Sequence, residues 1–194
     1  MNEAVRGFSE AFLLRNGAAA VVRAIRPDDR ERLQAAFHAL EAESVYLRYF
    51  SYKSALSEAD LDRLCAPDFD ERVVLVVTQP GAAGELIVGA GGYVAHTEPD
   101  GTRAAEVAFA VEEDVHGQGI SGKLLAVVTG IARSAGIARF DAEVLARNPA
   151  MLRVFERSGL PMTTTREDDG VVHVRLALAP DAAGLSASPA GVSR

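Results

Sequence analysis

Cysteine is nearly absent from this 194-residue sequence, in which Cys65 is the single example. One cysteine excludes an internal disulfide and a CxxC metal site, and it fits a reducing compartment. The sequence also lacks an apolar run approaching the roughly 20 residues of a membrane-spanning helix. Its first twelve residues contain acids and no apolar segment with a basic flank, so they do not resemble a signal peptide. We therefore expect a cytoplasmic protein with no membrane partner.

Positive charge is also in short supply. The 20 lysines and arginines are outnumbered by 27 acids, and the net charge is −7. A broad phosphate-binding surface is thus unexpected, and nucleic acid is not predicted as a partner. A local anion site remains open, because backbone N–H groups can bind an anion without net positive charge. His38, His96 and His173 show no metal-ligand spacing with one another, and no metal is predicted.

The chain is long enough for one domain and too short for two full cores. We predict an N-terminal extension over residues 1–11, a single domain over residues 12–179 and a disordered tail over residues 180–194. The tail is rich in alanine, glycine, serine and proline, a composition that does not build a packed core.

Local patterns indicate a mixture of strands and helices. Asn16-Gly17 is a strong hairpin-turn signal between strands at 12–15 and 18–25. Further predicted strands cover 73–77, 86–94, 104–111, 138–145 and 171–178. Predicted helices cover 28–43, 46–50 and 58–65, a segment that starts at residue 120 and a segment that follows Asn148.

A glycine-rich loop occupies residues 116–122, His-Gly-Gln-Gly-Ile-Ser-Gly. It follows a strand and leads into a helix with an apolar stripe at Ile120, Leu124 and Ile131. Glycines allow the backbone to approach a ligand closely, and the unpaired N–H groups of a helix start favour an anion. Taken alone, the glycines fit a flexible loop equally well.

One interpretation of this loop is the Walker A phosphate loop. Gly117, Gly122 and Lys123 match its first part, but Leu124 stands where magnesium requires a serine or threonine hydroxyl. Residues 112–115 also separate the loop from its strand, and no later strand ends in a suitable acid. The sequence therefore disfavours a nucleotide triphosphatase.

A second interpretation rests on two motifs in order. The pattern Gln/Arg-x-x-Gly-x-Gly/Ala falls on His116, Gly119 and Ser121, and further along the chain a helix starts at Asn148 and ends at Gly159. Together with the front segment, these motifs resemble the Gcn5-related N-acetyltransferase (GNAT) family over residues 12–178. The front segment is similar to the acetyltransferase domains of bacterial protein-lysine acetyltransferases.

The resemblance implies a fold and a coenzyme. The fold class would be α+β, with a twisted, mixed, mostly antiparallel sheet of about seven strands and helices on both faces. Acetyl-CoA would be the co-substrate, and its pantetheine arm would enter a splay between the strands that end at residues 111 and 145. The implied coenzyme-binding residues are Phe109, Ala110, Val111, His116, Gly117, Gln118, Gly119, Ile120, Ser121, Gly122 and Asn148.

The loop departs from the family pattern at two positions. Ser121 replaces a smaller residue and is still small enough for close approach. His116 replaces glutamine or arginine, and it can donate a hydrogen bond to phosphate, more strongly when protonated. The alternative for His116 is a solvated loop histidine with no role.

Glu106 is the candidate general base. A lysine amine is neutral in only about one molecule in a few thousand at pH 7, so a base near the acceptor has a large effect. On its strand Glu106 shares a face with Ala108 and Ala110, which leave room for a substrate. The resemblance indicates the same strand for the base. The alternative is an exposed acid on a sheet face, and Glu112, Glu113 and Asp114 are interpreted as a solvated turn.

A general acid is not evident. Many family members have a tyrosine at the position that corresponds to Phe155, which has no proton to give. The leaving thiolate would then be protonated by water or need no proton. Tyr46, Tyr49, Tyr52 and Tyr93 are alternatives that the sequence does not place. Phe155 and His116 together suggest a rival function, a catalytically weak acyl-CoA-binding sensor.

The sequence does not select the acceptor amine. The front segment favours a protein lysine, whereas polyamines, aminoglycosides and protein N-termini are acceptors for the same core. Arg48 fits either the acceptor site or the edge of an amphipathic helix. A homodimer is possible, since dimers are common in the family.

Overall fold

Eight strands and six α-helices form the part of the chain that this computed structural model describes, residues 2–49, 53–82, 84–167 and 170–178. The strands are β1 (Ser9–Leu13), β2 (Ala19–Ala24), β3 (Arg72–Gly81), β4 (Gly84–Thr97), β5 (Arg103–Val111), β6 (Arg139–Leu145), β7 (Met162–Arg166) and β8 (Val171–Ala177). The α-helices are α1 (Asn2–Arg6), α2 (Arg30–Ala39), α3 (Ala42–Tyr49), α4 (Glu58–Cys65), α5 (Ile120–Ser134) and α6 (Pro149–Glu156). Short 3-10 helices cover Pro27–Asp29 and Glu113–Val115.

All eight strands belong to one sheet in the order β1-β2-β3-β4-β5-β6-β8-β7. Every neighbouring pair is antiparallel except β5 and β6, which are parallel. The predicted α+β class with a mixed, mostly antiparallel sheet is confirmed. The sheet has one strand more than the seven predicted, because β7 was missed. Its threonines are exposed, so no alternation of apolar and polar residues marks it in the sequence.

The predicted hairpin at Asn16-Gly17 is present. Phe12 pairs with Ala20 and Leu13 with Ala19, and Gly17 has a φ of 84°, a conformation that glycine adopts without strain. The first strand begins at Ser9, three residues before the predicted start.

Local capping chemistry fixes the start of α4. Ser57 caps α4 by accepting a hydrogen bond from the Asp60 amide, as its sequence predicts. The prediction of one helix over residues 28–43 was wrong. Leu40 has an extended conformation that ends α2 after Ala39, and α3 begins as a separate helix at Ala42.

The two faces of β5 differ, and that difference positions the site. Val107, Phe109 and Val111 are buried on the face that α5 covers. Glu106 is exposed on the opposite face, together with partly buried Ala108 and Ala110. Helices α2 to α4 lie on this second side of the sheet.

A buried ion network connects strands β2 and β4 to the segment before α2. The Arg23 guanidinium forms two hydrogen bonds with the Asp29 carboxylate, of 2.7 and 2.8 Å, and also contacts Glu85 at 2.8 Å. Arg23 and Asp29 are 1% and 0% exposed. Burial opposes the charge of Asp29, but its hydrogen bonds with Arg23 and the Arg26 amide hold the pKa of this carboxyl below its usual value.

The predicted disordered tail at residues 180–194 lies outside the described residues. Within the described ranges, no helix combines the length and the apolar character required to cross a membrane.

Candidate active site

The cleft begins where two parallel strands separate. Strands β5 and β6 pair at only three positions, where residues 104–106 lie opposite residues 139–141. From Val107 onward β5 has no partner strand on this edge. A cleft of about 810 Å³ opens there, and it extends along the glycine loop to the start of α6. On an edge of this kind, alternate residues offer backbone N–H and C=O groups to an extended ligand.

The glycine loop presents backbone donors to this cleft. Gly117 and Gly119 have φ values of 74° and 92°, in the region that favours glycine, and Gly119 is the N-cap of α5. The amides of Ile120, Ser121 and Gly122 are in the first turn of α5, so they have no intrahelical acceptor. Neither they nor the Gly119 amide donate elsewhere in the described part of the chain. The helix dipole adds partial positive charge at this point, and the loop can therefore bind an anion.

The N-terminal hairpin braces the loop. Arg15 donates from its guanidinium to the Gly117 carbonyl at 2.9 Å and from its amide to the Gln118 carbonyl at 3.3 Å. The Gln118 side chain accepts from the Asn16 amide at 3.0 Å, so it faces the hairpin rather than the cleft. Arg15 itself lines the cleft. The sequence gives no sign of this position of Arg15, because only the fold brings the hairpin to a loop a hundred residues later.

His116 bonds to the strand that precedes it. Its Nε2 lies 2.8 Å from the Val111 carbonyl oxygen. A carbonyl only accepts, so Nε2 carries the proton in this contact. The Nδ1 atom has no hydrogen-bond partner within the described ranges and is the nitrogen that remains for a ligand.

Eleven of the twelve residues predicted for the site line this one cleft. The exception is Gln118. The others are Glu106, Phe109, Ala110, Val111, His116, Gly117, Gly119, Ile120, Ser121, Gly122 and Asn148.

Glu106 lies at the mouth of the cleft. It is exposed, and no hydrogen bond or ion pair joins it to another described residue. It also lines a second cavity on the α2 side of the sheet. A carboxylate that has no partner among the described residues and lines both spaces can accept a proton from a ligand in either of them.

The acids after β5 differ from a simple solvated turn. Glu112 is half-buried, and burial together with the charges of Asp114 and Glu113 raises the pKa of its carboxyl. One Glu113 carboxylate oxygen accepts from the Glu41 amide at 3.2 Å, and the other is buried without a partner within the described residues. Glu41, between α2 and α3, is 72 residues from Glu113 in the chain, so the sequence contains no local sign of this contact.

The position expected for a general acid is apolar. Phe155 is 1% exposed, and its ring centroid lies 6.3 Å from that of Phe109. Tyr93 is buried beside Phe140, and burial raises the pKa of its hydroxyl to about 12. Tyr46 lies under the Arg147 guanidinium. Of the tyrosines whose side chains are described, Tyr46 and Tyr93, neither lines the cleft; the Tyr49 side chain and Tyr52 lie outside the described residues.

Asn148 caps α6, as predicted. Its side-chain oxygen accepts from the Met151 amide at 3.0 Å, and Pro149 occupies the first helical position. The side chain also borders the cleft, and its amide group remains available to a ligand.

A group of potential metal ligands lies away from the cleft. His96, Glu98 and Asp141 each offer one ligand atom, and these three atoms lie within 4.8 Å of one another. Arg139 forms hydrogen bonds with both carboxylates, of 2.5 and 2.9 Å. A guanidinium thus already neutralises these acids.

Comparisons with known proteins agree with this geometry. The family model described as "Acetyltransferase (GNAT) domain" matches residues 20–161. Acetyltransferase Pat of Mycolicibacterium smegmatis is 33% identical over 167 residues, which are 86% of this chain and 48% of that protein. The chain thus spans about half the length of this curated relative.

Solved structures give the same result. The crystal structure of the GNAT domain of S. lividans PAT is 35% identical with a TM-score of 0.76, and the match covers 87% of this chain and 96% of that one. The structure of yncA from Salmonella typhimurium with its cofactor acetyl-CoA has a TM-score of 0.65 at 18% identity. That match covers 87% of this chain and 99% of the other, and it shows similarity of fold alone.

Proposed function

This chain belongs to the GNAT acetyltransferase family, and from that premise we propose that it transfers an acetyl group from acetyl-CoA directly to an amine, preferably a protein lysine. The observation that carries the proposal is the cleft itself. It joins an unpaired strand edge, a set of unpaired helix-start amides and the free carboxylate of Glu106.

The chain would hold the coenzyme mainly through its backbone. The amides of Gly119, Ile120, Ser121 and Gly122 suit the pyrophosphate, whose charge they and the α5 dipole would stabilise. The free edge of β5 at residues 109–111 would pair with the amides of the pantetheine arm, as an added strand would. Asn148 would contact the same arm from the start of α6. The cleft of about 810 Å³ lies within the range of small-molecule sites.

Glu106 would remove the proton that blocks the acceptor amine. The amine nitrogen attacks the thioester carbonyl, the C–N bond forms, and the C–S bond breaks with its electron pair on sulfur. A lysine ammonium loses two protons in all: the first passes to Glu106, directly or through water, before the attack, and the second leaves the nitrogen to water as the amide forms. Positioned bases of this kind contribute about 10²–10⁴-fold to rate.

The thiolate would leave without help from a tyrosine. Phe155 is buried against Phe109 and supplies no proton, so water would protonate the sulfur. Direct transfer in a ternary complex requires no covalent enzyme intermediate, and the proposal includes no metal.

The preference for a protein lysine rests on the front segment, which is similar to bacterial protein-lysine acetyltransferase domains, and on the Pat relatives. A cytoplasmic location, expected from the sequence, and a homodimer, expected from the family resemblance, remain predictions. Small amines, polyamines and aminoglycosides are the alternative acceptors.

The test is the release of free thiol from acetyl-CoA. We would assay it with a blocked Gly-Lys-Gly peptide, spermidine and kanamycin, and follow a host proteome with labelled acetyl-CoA by mass spectrometry. Thiol release that requires the lysine peptide, with label on protein lysines, supports the proposal. Release with spermidine or kanamycin alone would reassign the acceptor.

Two observations are compatible with a rival function. Phe155 and the His116–Val111 contact suit a weak acyl-CoA-binding sensor as well as an enzyme. A sensor would bind acetyl-CoA in calorimetry and release no thiol with any of the amines.

A further inference from the structure

A second cavity, of about 320 Å³, lies between α2 and the sheet. Leu33, Ala36 and Phe37 of α2 form its roof, and Ala108 and Ala110 of β5 contribute to its floor. Glu106 lines both this cavity, which we name the α2 slot, and the coenzyme cleft. Leu40, Arg48, Ala108 and Ala110 also line both spaces, so the cleft and the slot share a wall that includes the Glu106 carboxylate.

The α2 slot exists because its floor consists of very small residues. Ala90 pairs with Ala110 and Gly92 with Ala108, so four facing positions on neighbouring strands carry at most a methyl group. Valine or leucine at these positions, as in most strands, would fill the space. Larger residues are excluded at Gly92, where an added Cβ would lie 1.9 Å from the Val73 carbonyl oxygen.

The lining of the slot is apolar over most of its length. Six of the 24 described residues that line the slot are charged: Arg48, Asp60, Arg63, Arg72, Glu106 and Glu112. Burial raises the pKa of the Glu112 carboxyl, which agrees with poor access of water to that side chain. An unbranched hydrocarbon chain suits such a slot, whereas a polar ligand would find few partners along its middle.

We propose that the α2 slot takes the hydrocarbon tail of acyl groups longer than acetyl, from butyryl to about hexanoyl. This rests on the proposed function, because the thioester must lie within reach of an amine that Glu106 deprotonates. The acyl carbon beyond the carbonyl is then at the mouth of the slot. The chemistry of transfer is unchanged: the C–S bond breaks, the C–N bond forms, the two protons of the ammonium go to Glu106 and to water, and the thiolate takes a proton from water.

Binding alone tests the proposal without knowledge of the acceptor. Calorimetry would compare acetyl-, butyryl- and hexanoyl-CoA with the wild-type chain. Each methylene buried in an apolar site favours binding by up to about fourfold, so hexanoyl-CoA should bind at least about tenfold more tightly than acetyl-CoA. The heat-capacity change should become more negative with tail length.

Two variants of one helix give a matched comparison. Ala36→Leu fills the slot from its roof, and Ala35→Leu makes the same change at a neighbouring exposed position. Ala36→Leu should reduce hexanoyl-CoA affinity about tenfold and leave acetyl-CoA affinity within about twofold. Ala35→Leu should match the wild type for both. Thermal unfolding would verify that both variants fold, and the wild-type comparison stands without them.

The outcomes separate this proposal from the function on which it rests. If acetyl-CoA binds and is turned over but hexanoyl-CoA binds no better, the function stands and the slot proposal fails. If Ala36→Leu changes no acyl-CoA affinity and instead raises KM for the lysine peptide, the slot holds the acceptor side chain, which also overturns the proposal. If no acyl-CoA releases thiol with any amine, the proposed function fails, and tighter binding of hexanoyl-CoA would still support the slot.

Discussion

At the residue scale, His116 stands where the family pattern has glutamine or arginine, and this difference changes the contact that the position can make with a phosphate. With Nε2 donating to the Val111 carbonyl, a neutral imidazole presents Nδ1 as an acceptor, which cannot bond to phosphate oxygen. A protonated imidazole presents a second donor and a positive charge there. The tether to β5 thus gives the ring a single free nitrogen, whose role depends on protonation.

We accordingly predict that acetyl-CoA affinity falls as pH rises from 5.5 to 8, because an imidazolium binds phosphate better than a neutral imidazole does. His116→Gln should retain a side-chain donor and flatten this dependence without abolishing binding. Calorimetry from pH 5.5 to 8 would measure both proteins. Equal pH slopes would show that His116 does not contact the coenzyme.

Residues differ in how far the sequence reveals their position. The position of Glu106 could be predicted from the alternation of one strand, because that pattern alone places it beside two alanines on a single face. Arg15 and Glu112 could not be predicted. Arg15 reaches the loop only through the hairpin, and the half-buried position of Glu112 has no local sign in the sequence.

Gly119 illustrates the element scale, because it joins the loop to α5. At a φ of 92° a β-branched side chain is strained, by about 1–3 kcal/mol. It would also displace the first amides of the helix. Gly119→Val should therefore lower acetyl-CoA affinity by more than about tenfold in a protein that still folds.

The matched control is Gly136→Val at the other end of α5. Gly136 has a φ of 72°, and a Cβ there would meet nothing within 4 Å. Both variants should lose similar stability in urea unfolding, and only Gly119→Val should lose coenzyme affinity in calorimetry. Unchanged affinity in a folded Gly119→Val protein would remove the basis for the assigned coenzyme site.

Elements with their own boundary chemistry were predictable from the sequence. Asn16-Gly17 fixes the hairpin, and Asn148, Pro149 and Gly159 mark the ends of α6. Elements that depend on their neighbours were not. Strand β7 forms by pairing with β8 despite its exposed threonines, and the extended Leu40 separates α2 from α3 with no proline or glycine at that point.

At the scale of the whole molecule, the Arg23–Asp29 pair joins the second strand to the segment before α2. Removal of one partner leaves an uncompensated buried charge, which costs about 3–5 kcal/mol. Asp29→Asn should lower the free energy of unfolding at pH 7 by about 3 kcal/mol, since Glu85 still neutralises part of the Arg23 charge. Asp62→Asn breaks an exposed pair with Arg30 and should cost less than about 1 kcal/mol.

The pH dependence of this difference has a definite sign. The pKa of Asp29 is lower in the folded chain than its unfolded value of about 3.9, so its contribution is complete above about pH 5 and is lost as pH falls. The stability gap between wild type and Asp29→Asn should therefore narrow below pH 4. Urea unfolding at pH 7, 5 and 3.5 would measure the difference in stability between wild type and Asp29→Asn. A difference of constant size would contradict the stabilising role assigned to the ionised Asp29.

The arrangement of the whole sheet also explains why the proposed mechanism depends on one acid, Glu106. Strands β5 and β6 separate immediately after Glu106, and this side chain lines both the coenzyme cleft and the α2 slot. Among the described residues, no other acid lines both spaces. The central claim is therefore that Glu106 takes the proton of the acceptor.

The most direct test is the pH dependence of turnover in Glu106→Gln. Steady-state rates with acetyl-CoA and a saturating amine would be measured for both proteins from pH 6.5 to 10. In Glu106→Gln, coenzyme affinity should be unchanged, and turnover at pH 7 should be reduced by about 10²–10⁴-fold relative to the wild type. The deficit should shrink toward pH 10, where more of the amine is already neutral. Wild-type turnover at pH 7, or an equal loss at every pH, would contradict the assignment of Glu106 as the base.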